Sequence, residues 1–241
     1  MRRLWEREYI LRANDFDKFN RIKPSAVLEL FQDAAGQHAE EIGVGFDAMI
    51  QQQYLWVLTR IKFKILSGPM KYQKIFVKTW PLEPNKLIYR REYSIENEQG
   101  KKLIVGSSEW VVMHSEKRRL IADPNMYPFT DGFHTEKMFE NKFMKVPNFE
   151  TDARPRIINA GFSELDANNH VNNTKYANYV LDACAPTKTD VLSEFQIDYR
   201  KEVLEGNQLG IYAIREDNVC LAKGVNDNGE IMFACKMEYK E

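Results

Sequence analysis

The chain has 241 residues, 44% of them hydrophobic, enough to bury one large core or two linked ones, and no run is apolar for long enough to span a bilayer. Lys+Arg 34 against Asp+Glu 35 leaves a net charge of -1, so no global field draws the chain to nucleic acid, and an acidic partner has to be met by a local basic patch. Cys184, Cys220 and Cys235 have no metal-ligand spacing and the four histidines are scattered, which argues against a zinc site and for unbridged cysteines filling the core in a reducing compartment.

The amino-terminal residues MRRLWEREYILRAND carry basic side chains interrupted by Glu6 and Glu8, with no apolar stretch behind them. They read as neither a secretory signal nor a transit peptide, which makes the cytoplasm the expected location. A lead-in strand and a loop follow, then a helix whose apolar positions Val27, Leu30, Phe31, Ala34 and Ala35 recur at three and four residues. Period-2 alternation predicts strands over residues 55–66, 74–80, 88–96 and 103–113, with a hairpin turn at NEQG. Residues 122–155 hold Pro124, Pro128, Pro147 and Pro155 and little periodicity, as a connection would. A second lead-in and a second helix follow, with the apolar face Tyr176, Tyr179, Val180, Ala183 and Cys184, and then strands over 195–199, 209–215, 219–225 and 231–239.

The second set of elements repeats the first. Asp17, Val27, Leu30, Phe31, Ala34 and Ala35 lie 149 positions before Asp166, Tyr176, Tyr179, Val180, Ala183 and Cys184, and aligning the later strands reduces the offset to 136 and then 129. Two halves, residues 1–121 and 156–241 joined by a linker over 122–155, each place one helix on an antiparallel sheet. That is an α+β plan which suggests a tandem hotdog fold, a sheet wrapped around one long helix, twice over.

Polar chemistry gathers in the second half. Asp166, Asn168 and His170 alternate along an extended lead-in just ahead of the helix, where Asn172 or Asn173 would serve as N-cap and the free N–H groups would favour a developing negative charge. A lone histidine is more often structural than catalytic, and an asparagine-rich cap is the plain alternative; a cap, however, needs only one such residue. At the corresponding positions of the first half stand Phe19 and Arg21, and Leu66 takes the place of Glu202, so that half lacks the polar set.

The run Asp166-x-Asn168-x-His170-Val171-Asn172-Asn173-x-Lys175-Tyr176, followed by Tyr199-Arg200-Lys201-Glu202, resembles the acyl-acyl carrier protein thioesterase family, over nearly the whole chain. Its members carry two tandem hotdog domains. The resemblance implies Asp166, Asn168, His170 and Glu202 as the catalytic set, an acyl chain lying in the amino-terminal half, and release of free fatty acid from acyl carrier protein. Many members have a cysteine directly after the glutamate; Val203 stands there in this chain and rules out an acyl-cysteine at that position. The alternation Phe195, Ile197, Tyr199 would turn Lys201 inward next, so a bulge or strand end near Lys201 must aim Glu202.

On this reading Glu202, with His170 in reach, takes a proton from water while the backbone N–H groups of Val171, Asn172 and Asn173 hold the oxyanion. Asn168 orients the water or the thioester, and Asp166 holds Asn168 or the lead-in turn. Met49, Tyr54, Trp56 and Leu58 are candidate walls of the acyl channel. Neither metal nor cofactor is expected. Three basic groups are candidates for docking an acidic carrier protein: Arg60, Lys62 and Lys64; Lys117, Arg118 and Arg119; and Arg200 with Lys201. An acyl-CoA thioesterase and a non-catalytic acyl-binding hotdog module stand as alternatives, further pairing into a homodimer stays open, and chain-length preference is not written in the sequence.

Overall fold

The computed structural model describes residues 2–141 and 143–240. In chain order its elements are β1 (Trp5–Ile10), α1 (Pro24–Glu41), α2 (Phe46–Gln51), β2 (Tyr54–Ile65), β3 (Lys74–Pro81), β4 (Tyr89–Glu96), β5 (Lys102–His114), β6 (Leu120–Ile121), β7 (Arg156–Asn159), α3 (Tyr176–Cys184), β8 (Leu192–Tyr199), β9 (Gln208–Glu216), β10 (Val219–Asn226) and β11 (Ile231–Tyr239). The strands form one antiparallel sheet in the order β1-β3-β4-β5-β2-β8-β11-β10-β9-β7, with β6 on β5. Each predicted strand is present, with ends displaced by three residues or fewer.

The two halves meet where β2 pairs with β8, and the register there reveals their symmetry. Ile61 faces Ile197, Lys62 faces Gln196 and Phe63 faces Phe195. At the strand ends Ile65 pairs with Ile104 and Tyr199 with Phe233, so Ile65 and Tyr199 are equivalent, 134 positions apart. Lys62 and Gln196 are then equivalents that face each other, which puts a local two-fold axis between them. The sequence offset of 136 for these strands is therefore two too large, and the counterpart of Glu202 is Gly68, not Leu66. A slip of two leaves every side chain on its original face, so alternation cannot detect it.

Helix α1 starts with Pro24 at its first turn, where the missing N–H has no helical partner to lose. It buries Val27, Leu28, Phe31, Ala34 and Ala35 against the first half of the sheet. The Phe31 ring stacks on Tyr93 at 4.4 Å, and a Cβ on Gly106 would lie 2.2 Å from that ring, so the strand must carry glycine there for the helix to seat. Burying one such aromatic stabilises the fold by roughly 1.5–3 kcal/mol. In the second half the shorter α3 packs Tyr176 edge-on against Phe233, at 5.0 Å, and Tyr199, at 5.5 Å.

Residues 122–155 form neither helix nor strand among the described residues, yet they are packed as a strap and are no free tether. Met126, Tyr127, Phe143, Val146 and Phe149 are buried. Arg90 Nη2 donates to the Phe139 carbonyl at 2.7 Å, the Val146 N–H to Asp198 Oδ2 at 2.9 Å, and Lys223 Nζ to the Phe149 carbonyl at 2.6 Å. A second correction concerns the cysteines: Cys184, the last residue of α3, is bridged to Cys220 of β10, and only Cys235 is a free, buried thiol. The end of α3 lands on β10 and brings the two Cα atoms to 6.8 Å, a proximity that a sequence separation of 36 does not announce.

Candidate active site

The lead-in to α3 is a turn wound around one carboxylate. Asp166 Oδ1 accepts from the Asn168 N–H at 2.8 Å and the His170 N–H at 3.3 Å, the Asp166 N–H donates to the His170 carbonyl at 2.8 Å, and Asn169 takes the left-handed conformation at φ 61°. The first half has the same turn: Asp17 Oδ1 accepts from Phe19 and Arg21 at 2.8 and 2.9 Å, and Asn20 sits at φ 62°. Asp17 builds the same turn where Arg21 stands in place of the histidine, so in both halves the aspartate carboxylate shapes its loop. The turn sets the backbone of Asn168 and His170; the Asn168 side chain is exposed.

His170 and Glu202 come together because their segments pair. The Val171 N–H donates to the Val203 carbonyl at 2.8 Å, and an antiparallel bridge joins His170 to Leu204. As the alternation required, β8 ends at Tyr199, and the N–H groups of Arg200 and Lys201 both reach the Met232 carbonyl, at 2.9 and 3.1 Å. That irregularity sends Lys201 outward to Glu230 and Glu202 toward His170, with His170 Nε2 3.5 Å from Glu202 Oε2. The same Oε2 accepts from Arg118 Nη2 at 2.9 Å, a contact across the two halves that nothing in the sequence links.

The helix start differs from expectation. α3 begins at Tyr176 with Lys175 as N-cap and no side-chain cap. Asn172 Oδ1 accepts instead from the N–H and hydroxyl of Thr174, at 3.0 and 2.9 Å, so asparagine's local hydrogen bonding makes a turn ahead of the helix. Two of the three expected oxyanion donors are also occupied. Val171 N–H is bound to Val203, and Asn172 N–H donates to the Glu164 carbonyl at 2.8 Å, because these bonds hold the loop in place. Among the described residues the Asn173 N–H has no partner, while the Asn173 carbonyl accepts from the Tyr199 hydroxyl at 2.8 Å.

A cavity of about 740 Å³ runs along α1 and reaches Asn168 and Asn172; neither His170 nor Glu202 forms part of its wall. Met49, Tyr54 and Trp56 line it, as expected, and Leu58 lies instead on a separate small cleft beside Asn173 and Thr174. Glu29 and Glu40 of α1 both touch it, a stretch of about 16 Å at the rise of an α-helix. Toward the Glu40 end the wall includes Arg91, buried, which donates from Nη1 to His38 Nδ1 at 3.0 Å while His38 Nε2 donates to the Arg2 carbonyl at 2.9 Å. Burial and the Arg91 charge push the His38 imidazole down to about 4, which keeps it neutral.

The basic groups fare differently. Lys62 is buried beneath the strap, its Nζ 4.0 Å from the Phe139 ring centre, and desolvation draws its ammonium pKa down. Arg60 is largely covered and lies 3.5 Å from Glu109 and 3.9 Å from Asp198, so only Lys64 of that group is exposed. Residues 122–155 lie across the part of the strand face that holds Lys62, and the group does not make an open docking patch. Lys117, Arg118, Arg119 and Arg200 are exposed, and Lys201 is paired with Glu230. Among the described residues no cluster of three or more His, Cys, Asp or Glu is placed to hold a metal ion, and no helix is long and apolar enough to cross a membrane.

Comparison with known proteins covers both halves. The family description "Acyl-ACP thioesterase N-terminal domain" matches residues 2–125, and "Acyl-ACP thioesterase C-terminal domain" matches residues 150–241. The chain is 26% identical over 191 residues to the chloroplastic acyl-[acyl-carrier-protein] hydrolase of Cuphea viscosissima, covering 73% of this chain and 46% of that protein. It is 29% identical over 189 residues to the chloroplastic palmitoyl-acyl carrier protein thioesterase of Gossypium hirsutum, covering 71% and 45%. It thus spans about half the length of the curated relatives it matches. In structure it resembles an acyl-ACP thioesterase from Bacteroides thetaiotaomicron (TM-score 0.88, 20% identity, 99% of this chain and 98% of that one). It resembles equally the 12:0-ACP thioesterase from Umbellularia californica (TM-score 0.88, 19% identity, 100% and 98%), and the fold is the double hotdog.

Proposed function

We propose that this chain, which belongs to the acyl-ACP thioesterase family, hydrolyses the thioester of fatty acyl-acyl carrier protein and releases free fatty acid and the carrier's thiol. The observation that carries the reading is the His170–Glu202 pair, 3.5 Å apart, its histidine on the loop whose Asn168 and Asn172 line a long cavity with largely apolar walls. A thioester needs little more than an activated water and a site for its oxyanion. Its leaving thiol, with an ordinary pKa near 8.5, departs readily as thiolate.

In the proposed mechanism the acyl chain lies in the α1 cavity and the carbonyl sits near Asn168 and Asn173. Glu202 and His170 together take a proton from water, and the resulting hydroxide attacks the carbonyl carbon. The Asn173 N–H stabilises the oxyanion and Asn168 orients the water or the thioester. Collapse breaks the carbon–sulfur bond, and the abstracted proton goes to the departing thiolate. The basic residues still exposed near the pair, Lys117, Arg119 and Arg200, are the proposed contacts for an acidic carrier.

The test is release of free thiol from acyl-carrier protein substrates of graded length, set beside the matching acyl-CoA. His170→Ala and Glu202→Ala should each lower kcat by on the order of a hundredfold. Full activity in both variants would sink the assignment of the site, and equal kcat/KM on CoA and carrier substrates would overturn the carrier preference.

A further inference from the structure

We propose that Arg118, in the turn between β5 and β6, is a positioning residue that holds Glu202 for the reaction. The inference rests on the thioesterase reading of the His170–Glu202 pair, and it separates Arg118 from the basic residues that would greet a carrier protein. Arg118 Nη2 and His170 Nε2 both approach Glu202 Oε2, at 2.9 and 3.5 Å, and among the described residues these are its only partners. Among the described residues Glu202 Oε1 accepts no hydrogen bond. The glutamate lies beyond the end of β8, three residues after Tyr199, and is 40% exposed. Without a second anchor its side chain would sample several rotamers, and only some of them would meet His170.

The turn that carries Arg118 is built to aim it. β5 runs 13 residues against 8 for its neighbour β4, so beyond Trp110 it leaves β4 behind and pairs with β2 and β6 up to the turn. There the His114 N–H donates to the Arg119 carbonyl at 2.9 Å, the Arg118 N–H to the His114 carbonyl at 3.0 Å, and the Ser115 N–H to the Gln53 carbonyl at 2.8 Å. Arg118 itself adopts the left-handed conformation at φ 49°, a strained choice for a long side chain that the hydrogen-bonded turn enforces. The first half, without catalytic groups of its own, thus reaches into the site of the second and fixes a carboxylate there. A guanidinium suits the task because its charged N–H donors are rigid and directional.

The experiment measures kcat and KM for Arg118→Ala, Arg118→Lys and a Lys117→Ala/Arg119→Ala control on two substrates, an acyl-carrier protein and a small acyl thioester lacking the carrier. Arg118→Ala should lower kcat on both substrates by on the order of tenfold with KM little changed; the half-exposed pair is too well solvated for a larger effect. Arg118→Lys should recover part of the loss, and in a Glu202→Gln background Arg118→Ala should add nothing further. Should the alanine variant fail to fold, Arg118→Gln carries the same comparison. A raised KM for the carrier substrate alone with kcat intact, or an undiminished effect of Arg118→Ala in the Glu202→Gln background, would overturn the proposal. Failure of the wild-type protein to hydrolyse either substrate would instead refute the thioesterase reading itself.

Discussion

Two equivalent aspartates in one chain allow the structural part of a catalytic residue's effect to be measured separately. Asp166→Ala removes two carboxylate-to-backbone bonds, at 2.8 and 3.3 Å. Such bonds contribute about 1.5–3 kcal/mol each when well shielded; solvent and the greater length of the second reduce the pair to about 1–2 kcal/mol. In a chain of this size that lowers Tm by roughly 2–8 °C. Asp17→Ala removes the equivalent bonds and also the Arg21 ion pair at 2.8 Å, so its loss of stability should be at least as large. Turnover should separate the two: Asp166→Ala releases the loop that orients His170 and should lower kcat by up to about a hundredfold, while Asp17→Ala should leave kcat within about twofold of wild type. Asp166→Asn keeps an oxygen acceptor for the turn and should retain most of the activity. Thermal melts with thiol-release kinetics on all three variants decide the matter. If Asp166→Asn lost as much kcat as Asp166→Ala, the negative charge itself would be required and the loop-shaping role would be wrong.

Two further outcomes concern His38, which pairs with Arg91 of the cavity wall, and Gly36 of that wall. Because His38 is held near 4 in the fold and titrates near 6.5 when unfolded, the unfolded chain binds the extra proton between these values, and stability should rise with pH across that window. His38→Asn should flatten that part of a Tm-against-pH curve, and an unchanged slope would show that other groups set it. Gly36 lines the cavity with open space where a Cβ would project, so Gly36→Phe should keep or raise Tm while cutting kcat/KM on the longest acyl substrates far more than on the shortest. An equal loss at every length would place the chain elsewhere.

The repeat and each strand were legible because they depend on periodicity, whereas the meeting of His170 with Glu202, which lie on separate segments, was expected from the family resemblance alone. The strand end that aims Glu202 could be inferred from a conflict between alternation and function, and the backbone shows it at Arg200 and Lys201. What stayed hidden was non-local. The two-residue slip of the β8 alignment preserves every face, and only the pairing of Lys62 with Gln196 exposes it. Lys62 on an alternating strand reads as solvated until the strap covers it, and the cation then rests on the Phe139 and Phe143 rings. The N–H groups of Val171 and Asn172 looked free because their acceptors, Val203 and Glu164, lie on other segments. The Cys184–Cys220 bridge and the Arg118–Glu202 contact have the same origin.

The asymmetry of the two helices supports the proposal that one half holds the acyl chain and the other the chemistry. α1 has 18 residues, and its length, with α2 beside it, walls a cavity that can shelter an extended acyl group; α3 has 9 and ends at a cysteine bridged to β10. A site assembled at the shorter helix therefore needs the other half for its substrate pocket. The first half's own equivalent of the site has been turned to a different use. Arg21, where the second half has His170, donates from Nη1 to the carbonyls of Thr187, at 2.9 Å, and Asp190, at 2.5 Å, and so ties the first lead-in turn to the segment after α3. At the position equivalent to His170, Arg21 thus supplies a bond between the halves. With Arg118 reaching Glu202 and Lys175 lying 3.3 Å from Glu29, the halves are joined at both turns, and the site and its pocket keep their relative positions as one unit.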